Sequence, residues 1–265
     1  MKKSIIFILL FSVVFTFASS AEGLQKVRNS AFKRGEVLKY RIFYDSWLTS
    51  YLTAGIGTLS VLQDNKKFHN RDTYHLEVLG KSVGIFNWFF KVDDRYESYI
   101  DEDALIPWFF MRRTKQGSYT RDDNINFNQF DHLAKSNTIK RKVPPNIQDV
   151  VSSFYMMRNI DYNNAKIDQE FRVEFMLDDS LYISRIIYLG KDVVKTKAGK
   201  FNCMKFKPKV VRGEMFDEEY PMTLWISDDK NHIPVLLRSE VIIGSVKVEL
   251  IECTGLANPK DSKIE

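Results

Sequence analysis

Apolar and polar residues alternate with a period of two through much of the chain, and this pattern predicts half-buried β-strands. The alternation is clearest in residues 37–44, 170–177, 203–210 and 245–252. In each segment one set of alternate residues is apolar, while the other is mostly charged. Antiparallel sheets that have one face in the core and one face in water are typical of this pattern.

One segment has a helical spacing instead of the strand spacing. Its apolar residues are three or four positions apart, so they share one helical face: Ile147, Val150, Val151, Phe154, Met157 and Ile160. Asn146 is expected to cap the start, and Asp149 lies in the first turn, where a negative charge is favourable. The sequence therefore predicts one helix, over about residues 146–160, packed on the strands.

The predicted fold is mainly β: a curved antiparallel sheet or an open β-barrel with one packed helix. Clusters of turn-forming residues separate the strand segments at short intervals, so consecutive strands are expected to pair as hairpins and meanders. No repeat and no low-complexity linker divides the chain. We therefore expect a single all-β domain over residues 22–256, followed by a polar tail over residues 257–265.

The first residues have the pattern of a secretory signal. Two lysines precede an apolar run over residues 5–17, and the small residues of 18–21 suit a cleavage site. The run is shorter than the about 20 residues that span a bilayer, and no cysteine is present to carry a lipid there. We expect a signal peptide over residues 1–21 and a mature chain that begins near Glu22. The expected location is the periplasm, with secretion as the alternative, and no integral membrane insertion or lipoprotein anchor.

The net charge bears on whether the protein binds nucleic acid, and the cysteine content bears on whether it contains a disulfide. The formal net charge of +5 falls to +3 without Lys2 and Lys3, which is too small an excess to predict nucleic-acid binding. Cys203 and Cys253 both lie in strand-like segments. A disulfide between them suits an oxidising compartment, whereas two buried thiols used as small apolar residues suit either compartment, and both interpretations stay open.

A set of short stretches, in a fixed order from about Phe32 to Cys253, resembles a known bacterial family. The stretches are Arg34-Gly35-Glu36-Val37-Leu38-Lys39-Tyr40, Ala54-Gly55, Asp94-Arg95-Tyr96-Glu97-Ser98-Tyr99-Ile100-Asp101, Gln148-Asp149-Val150-Val151-Ser152-Ser153-Phe154-Tyr155 with Arg158, Ala198-Gly199-Lys200-Phe201-Asn202-Cys203, and Leu224-Trp225-Ile226-Ser227-Asp228-Asp229 with Ile233-Pro234-Val235. Together they are similar to the envelope family catalogued as domain of unknown function 3108. The resemblance implies an exported, mostly β protein, and it supplies no catalytic residues.

No catalytic or metal-binding motif is present in the sequence. Asp149 and Ser153 share a helical face, but no histidine is placed to take the serine proton. The histidines show no zinc-type spacing and have no cysteine neighbours: His69, His75, His132 and His232. We therefore predict no catalytic residue, no metal and no cofactor. An enzyme acting on envelope polysaccharide is the alternative, with Asp94 and Glu97 as the carboxylates to test.

Two aromatic clusters, residues 84–90 and 106–111, carry the binding hypothesis. Their large side chains would line a cavity for an apolar ligand, form an exposed patch for a membrane or partner, or simply fill the core. The candidate ligand-binding residues are Trp88, Phe89, Phe90, Trp108 and Phe109. We expect a non-enzymatic binding or envelope-maintenance protein that holds a lipid, a lipid-linked glycan or an apolar segment of another envelope protein. A scaffold for a protein partner is a further alternative.

Overall fold

Antiparallel strands dominate the structure, a computed structural model that describes residues 23–45, 52–210, 222–240 and 245–259. The strands are β1 (Val37–Asp45), β2 (Leu52–Val61), β3 (Thr73–Ser82), β4 (Val92–Asp101), β5 (Pro107–Gln116), β6 (Tyr119–Asn128), β7 (Leu133–Lys135), β8 (Lys140–Lys142), β9 (Gln148–Asp149), β10 (Glu170–Leu177), β11 (Ser180–Thr196), β12 (Gly199–Val210), β13 (Met222–Ser227), β14 (Pro234–Glu240) and β15 (Ser245–Thr254). The helices are α1 (Phe86–Phe89) and α2 (Val150–Met157). The predicted signal peptide lies outside the described residues.

These strands form one 15-stranded sheet. Strands β2 to β8 follow β1 on one side in chain order, and β15 back to β9 follow it on the other side. Neighbouring strands are antiparallel, except that β9 and β10 are parallel. The predicted meander of hairpins in a mainly β fold is therefore confirmed.

The sheet curls around α2. That helix contacts β3 and β4 on one side and β10 on the other, although these strands are far apart in the strand order. Arg112 of β5 also forms an ion pair with Asp178, which directly follows β10. Only a strongly curved sheet brings such distant strands together. The edge strands β8 and β9 do not pair with each other in the described sheet, so the barrel stays open.

The alternation of residues predicted most strands closely. Strand β10 has the predicted bounds, while β1, β12 and β15 extend beyond the predicted segments. In β1 the expected core residues Leu38 and Tyr40 are buried. Phe43 is buried as well, although it was not expected in the core, because the cationic side chains of Arg41 and Lys247 lie near its ring.

Side chains from α2 and from the strands it contacts fill the concave face of the sheet. The buried cluster there consists of Ala31, Phe32, Val61, Leu76, Ile100, Leu105, Phe110, Ile125, Phe127, Ala134, Val143, Ile147, Val151, Tyr155 and Met176. Tyr155 is not part of the predicted apolar stripe of the helix, yet it is fully buried. Its ring packs edge-on against Phe32 at a centroid distance of 4.9 Å. The N-terminal segment thus covers the helix from one side.

The helix is shorter than the sequence predicted, and its expected cap was wrong. Asn146 has φ +59° and precedes β9, so it does not cap the helix. Asp149 is the N-cap: its carboxylate accepts from the amides of Val151 and Ser152, and the Ser152 hydroxyl accepts from the Asp149 amide. This capping box pairs the amide of the N-cap residue and the amides of the first helical turn. It therefore fixes the start of α2 after a parallel strand.

The start of the predicted polar tail is anchored to the fold. Asn258 donates from its backbone to the Asn231 side chain at 2.9 Å and from its side chain to the Ser30 carbonyl at 2.8 Å. Those two contacts join the tail to the N-terminal segment and to the turn after β13. Residues 260–265 lie outside the described part of the chain.

Candidate functional site

The connection between β3 and β4 carries the largest exposed aromatic group of the described chain. Its side chains are accessible to 55% for Ile85, 81% for Trp88, 70% for Phe89 and 55% for Phe90. Trp88 and Phe89 touch each other edge-on at 4.7 Å. We call residues 85–90 the aromatic tip. Scattered exposed apolar residues are normal on proteins, but a contiguous group marks an interaction site.

Local hydrogen bonds close the backbone of the aromatic tip. Gly84 has φ +58°, a conformation that suits glycine. The Asn87 amide donates to the Gly84 carbonyl at 3.2 Å, and the Phe90 amide donates to the Phe86 carbonyl at 2.8 Å. The Ser82 hydroxyl accepts from the Val92 amide at 2.9 Å and so joins the two ends of the connection. The backbone is therefore satisfied while the aromatic side chains face outward.

The turn between β5 and β6 supports the aromatic tip from one side. The Gly117 amide donates to the Lys91 carbonyl at 2.8 Å. Gly117 has φ +60°, and a Cβ atom built there would lie 3.0 Å from a ring carbon of Phe90. Glycine therefore permits both the turn and the close approach of the Phe90 ring. Phe90 anchors the tip, whereas Trp88 and Phe89 extend from it.

Lysines surround the aromatic tip. Lys81 and Asp93, at the ends of β3 and β4, form a loose pair at 3.6 Å. Lys91 and Lys115 are exposed, and neither forms an ion pair with a described residue. Asp93 lies between Lys81 and Lys115 in the strand register, and the Asp94 carboxylate accepts from the Lys115 amide. With Lys91, the three lysines outnumber these two carboxylates, so the surroundings of the tip carry a small net positive charge.

The predicted ligand-binding residues do not form one wall. The structure brings Trp88, Phe89 and Phe90 together at the aromatic tip, but Trp108 is only 1% exposed and donates to the Asp101 carboxylate at 3.1 Å. Phe109 lies on the opposite face of the sheet from Phe110 and stacks with Phe68 at 6.4 Å. The second aromatic cluster therefore divides between the core and the convex face, because successive strand residues point to opposite sides.

A cleft of about 540 Å³ lies beside the end of α2, far in sequence from the aromatic tip. It is lined mostly by polar groups, among them Asn159, Asp229 and His232. None of the predicted ligand-binding residues lines this cleft. An apolar ligand would need predominantly hydrophobic walls, so the cleft does not suit the expected lipid.

Comparison with known proteins agrees with this fold. The family model described as a protein of unknown function (DUF3108) matches residues 39–251. The chain belongs to the DUF3108 family. No curated protein matches the DUF3108 chain.

Two solved structures resemble the DUF3108 chain in architecture. A β-barrel-like protein of the domain of unknown function DUF1849 from Brucella abortus is 10% identical, with a TM-score of 0.55 over 84% of this chain and 98% of that one. A protein with a YmcC-like fold from Bacteroides fragilis is 8% identical, with a TM-score of 0.40 over 87% of this chain and 100% of that one. At such identities the first likeness supports the open-barrel fold alone.

The carboxylates considered for catalysis in the DUF3108 chain lie apart. Asp94 accepts from the Lys115 amide and the Gln116 side chain, whereas Glu97 contacts His75 on the other face of β4. His75 was missed as a cluster centre, because its partners Asp64 and Glu97 come from two other segments of the chain. Its two ring nitrogens contact Asp64 at 2.9 Å and Glu97 at 3.0 Å, so neither nitrogen is left to activate a hydroxyl or thiol. No group of metal-ligating side chains was found among the described residues.

The two cysteines of the DUF3108 chain are not joined by a disulfide. Cys203 is buried, and Cys253 packs against the same apolar cluster. Burial raises the pKa of the Cys203 thiol to about 12, so this group stays protonated and unreactive at neutral pH. Both cysteine side chains therefore pack among apolar residues in this structure.

Asp149 is a fully buried carboxyl whose pKa is raised toward the physiological range. Burial raises its pKa to about 6, against hydrogen bonds from the Ser98 hydroxyl and the first amides of α2, which act to lower it. The Ser98 hydroxyl donates to this carboxylate at 2.5 Å. Because the pKa is higher folded than unfolded, the folded state binds the proton more tightly. The resulting stabilisation is complete below the unfolded pKa and is lost as the pH rises through about 6.

We expect Asp149→Asn to remove this pH dependence, since asparagine still caps the helix but does not titrate. The free energy of unfolding of the natural protein relative to Asp149→Asn should fall by on the order of 2–3 kcal/mol between about pH 4 and about pH 7.5. Urea unfolding of both proteins at the two pH values measures this difference. A difference that does not change with pH would show that the pKa of Asp149 is the same in the folded and unfolded states.

Proposed function

We propose that the protein is an exported, non-enzymatic binding protein of the cell envelope, and that the aromatic tip is its binding element. The exposure of Trp88, Phe89 and Phe90 carries this proposal. Apolar surface in contact with water costs free energy, and that cost is recovered when another apolar surface covers it. The backbone of the tip is closed by its own hydrogen bonds, so folding does not explain why these aromatic side chains are exposed.

The sequence supports export. The cationic start, the apolar run and the small residues of 18–21 fit a cleaved leader. We therefore expect the protein purified from a bacterial envelope to begin near Glu22. Mass spectrometry of the intact protein tests this, and a mass that includes residues 1–21 would exclude cleavage.

The contacts of the candidate acidic groups support a non-enzymatic role. Asp94 and Glu97 point to opposite faces of β4 and have different partners. A glycosidase needs two carboxyl groups that face each other across the scissile bond. Among the described residues His75 is held between two carboxylates, with the Tyr99 ring stacked on it at 4.1 Å. These contacts suit a structural cluster on the convex face.

The filled concave face favours surface binding over enclosure of a ligand. Helix α2 occupies the space that a lipid carrier of this shape would need for its cargo. The aromatic tip, in contrast, is already presented to solvent. The proposed mechanism is therefore desolvation of the tip against an apolar region of the envelope.

Sedimentation with washed envelope fragments of the parent bacterium tests this proposal. We expect the natural protein to sediment with the fragments and the triple variant Trp88→Ser/Phe89→Ser/Phe90→Ser to stay in the supernatant. Ile167→Ser is the matched control, because Ile167 is 61% exposed on a different loop. Equal sedimentation of the triple variant and the natural protein would refute a binding role for the aromatic tip.

A further inference from the structure

Building on the proposed function, we infer that the surface covered by the aromatic tip is the anionic face of a lipid bilayer. The first argument is the chemistry of the tip. Trp88 is its most exposed residue, at 81%, with Phe89 next to it at 70%. Tryptophan is enriched at the membrane–water interface, where its apolar ring and its polar N–H are both satisfied. Phenylalanine and isoleucine beside it add apolar surface that enters the acyl boundary.

The second argument is charge. Lys91 directly follows the aromatic tip, and Lys115 lies on the neighbouring hairpin. Both are exposed, and neither forms an ion pair with a described residue, although Asp93 lies opposite Lys115 in the β4–β5 ladder. Lipid headgroups of negative charge attract lysines held close to the surface, each contributing favourably to binding. A solvent-exposed cation beside an exposed aromatic ring is the combination that peripheral membrane elements use.

The third argument is shape. The aromatic tip is a projection at one end of the sheet, and a stable protein–protein interface buries about 800 Å² on each partner. A short projection offers little of that area, but it penetrates a soft bilayer without a complementary pocket.

The tip is also prepared for this role before contact. Phe90 is fixed beside Gly117, and the Ser82 hydroxyl joins the ends of the connection. Little backbone freedom is therefore lost on docking, which strengthens binding through a small area. No helix in the described part of the chain is long and apolar enough to span a membrane.

Vesicle flotation with the purified protein, expressed from the full sequence and isolated after export, tests the inference. The probes are vesicles of phosphatidylcholine alone and of phosphatidylcholine mixed with phosphatidylglycerol. We expect the natural protein to bind the mixed vesicles, and the triple serine variant to bind them at least about tenfold more weakly. Lys91→Gln/Lys115→Gln should weaken binding to the mixed vesicles by about tenfold and leave binding to phosphatidylcholine unchanged. Ile167→Ser should match the natural protein.

Quenching by lipids with brominated acyl chains tests whether Trp88 itself enters the bilayer. We expect the tryptophan fluorescence of the natural protein to be quenched in brominated vesicles. Trp88→Phe should keep vesicle binding but lose this quenching, because the remaining aromatic ring still docks. Quenching that persists in Trp88→Phe would place another tryptophan in the membrane and overturn the assignment of the tip.

The two proposals fail in different ways. If the natural protein binds envelope fragments through the tip but binds neither vesicle type, the bilayer inference is wrong and a protein partner covers the tip. If the triple variant binds both fragments and vesicles as well as the natural protein does, the aromatic tip has no binding role. Loss of binding to mixed vesicles alone on removing the lysines supports the anionic bilayer.

Discussion

Replacing Arg158 with methionine is expected to lower the free energy of unfolding by about 3–5 kcal/mol, because it leaves a buried carboxylate without its counter-charge. Arg158 is 2% exposed and Glu36 is fully buried. The guanidinium donates to the two Glu36 oxygens at 2.6 and 2.9 Å. It also donates to the carbonyls of Ala31 and Asn231, at 3.1 and 3.0 Å.

These contacts explain the large expected effect. Arg158 follows α2 directly and joins three parts of the chain: the N-terminal segment, the start of β1 and the turn after β13. Arginine suits this position because its planar group presents several donors in fixed directions. The His232 ring also contacts the Arg158 carbonyl at 2.7 Å, so side chain and backbone are both tied to the same region.

Chemical denaturation followed by circular dichroism measures the effect, and two further variants control it. Glu36→Met/Arg158→Met should be more stable than Arg158→Met alone, since it leaves no uncompensated buried charge. Lys39→Gln removes a partly exposed pair with Glu252 and should cost at most about 1 kcal/mol. A loss below that level for Arg158→Met would mean that the buried pair contributes no more than a surface pair.

Local pattern predicted the strands well but could not predict this ion pair. The alternation over residues 170–177 gave the bounds of β10, because that segment forms a regular hairpin with β11. Glu36 and Arg158 are 122 residues apart, so only the curled sheet brings them together. Arg158 is the C-cap of α2 and lies inside the predicted helix of residues 146–160, but no local pattern predicts its partner.

The helix start shows a second limit of local reasoning. Asn146 after two prolines looked like the cap, and the residues after it have the helical spacing. In the structure β9 pairs in parallel with β10 through Gln148 and Asp149, so the chain stays extended for longer. Tertiary pairing therefore delays the helix until Asp149, whose carboxylate also accepts from Ser98 of β4.

The sequence could not show which of the two aromatic clusters is buried and which is exposed. Both contain a tryptophan followed by two phenylalanines. Residues 84–90 lie in the connection between β3 and β4, where most of their side chains stay exposed, while Trp108 is the second residue of β5 and is buried. Gly84 is the sequence feature that indicates a turn here. Its left-handed conformation ends the extended chain between β3 and the aromatic tip.

The two tryptophans therefore give opposite predictions. Trp108→Ala should lower the free energy of unfolding by about 3–5 kcal/mol, because it removes a large buried ring and leaves a cavity. The ring packs against His69 at 4.9 Å and Phe130 at 5.4 Å, and its N–H donates to Asp101. Asp101 also accepts from the Ala104 amide at 2.9 Å, so the change would disturb the turn that precedes β5.

Trp88→Ala, in contrast, should change the free energy of unfolding by no more than about 0.5 kcal/mol, since exposed substitutions away from special features have small effects. Its expected cost is in binding to the envelope. Chemical denaturation of both alanine variants, with Trp108→Phe as the control that keeps a ring but loses the N–H, compares the positions directly. A large loss of stability in Trp88→Ala would mean that the ring stabilises the fold, which would contradict a role confined to binding. A small loss of stability in Trp88→Ala, together with weaker envelope binding, would show that Trp108 stabilises the fold and that Trp88 binds the envelope.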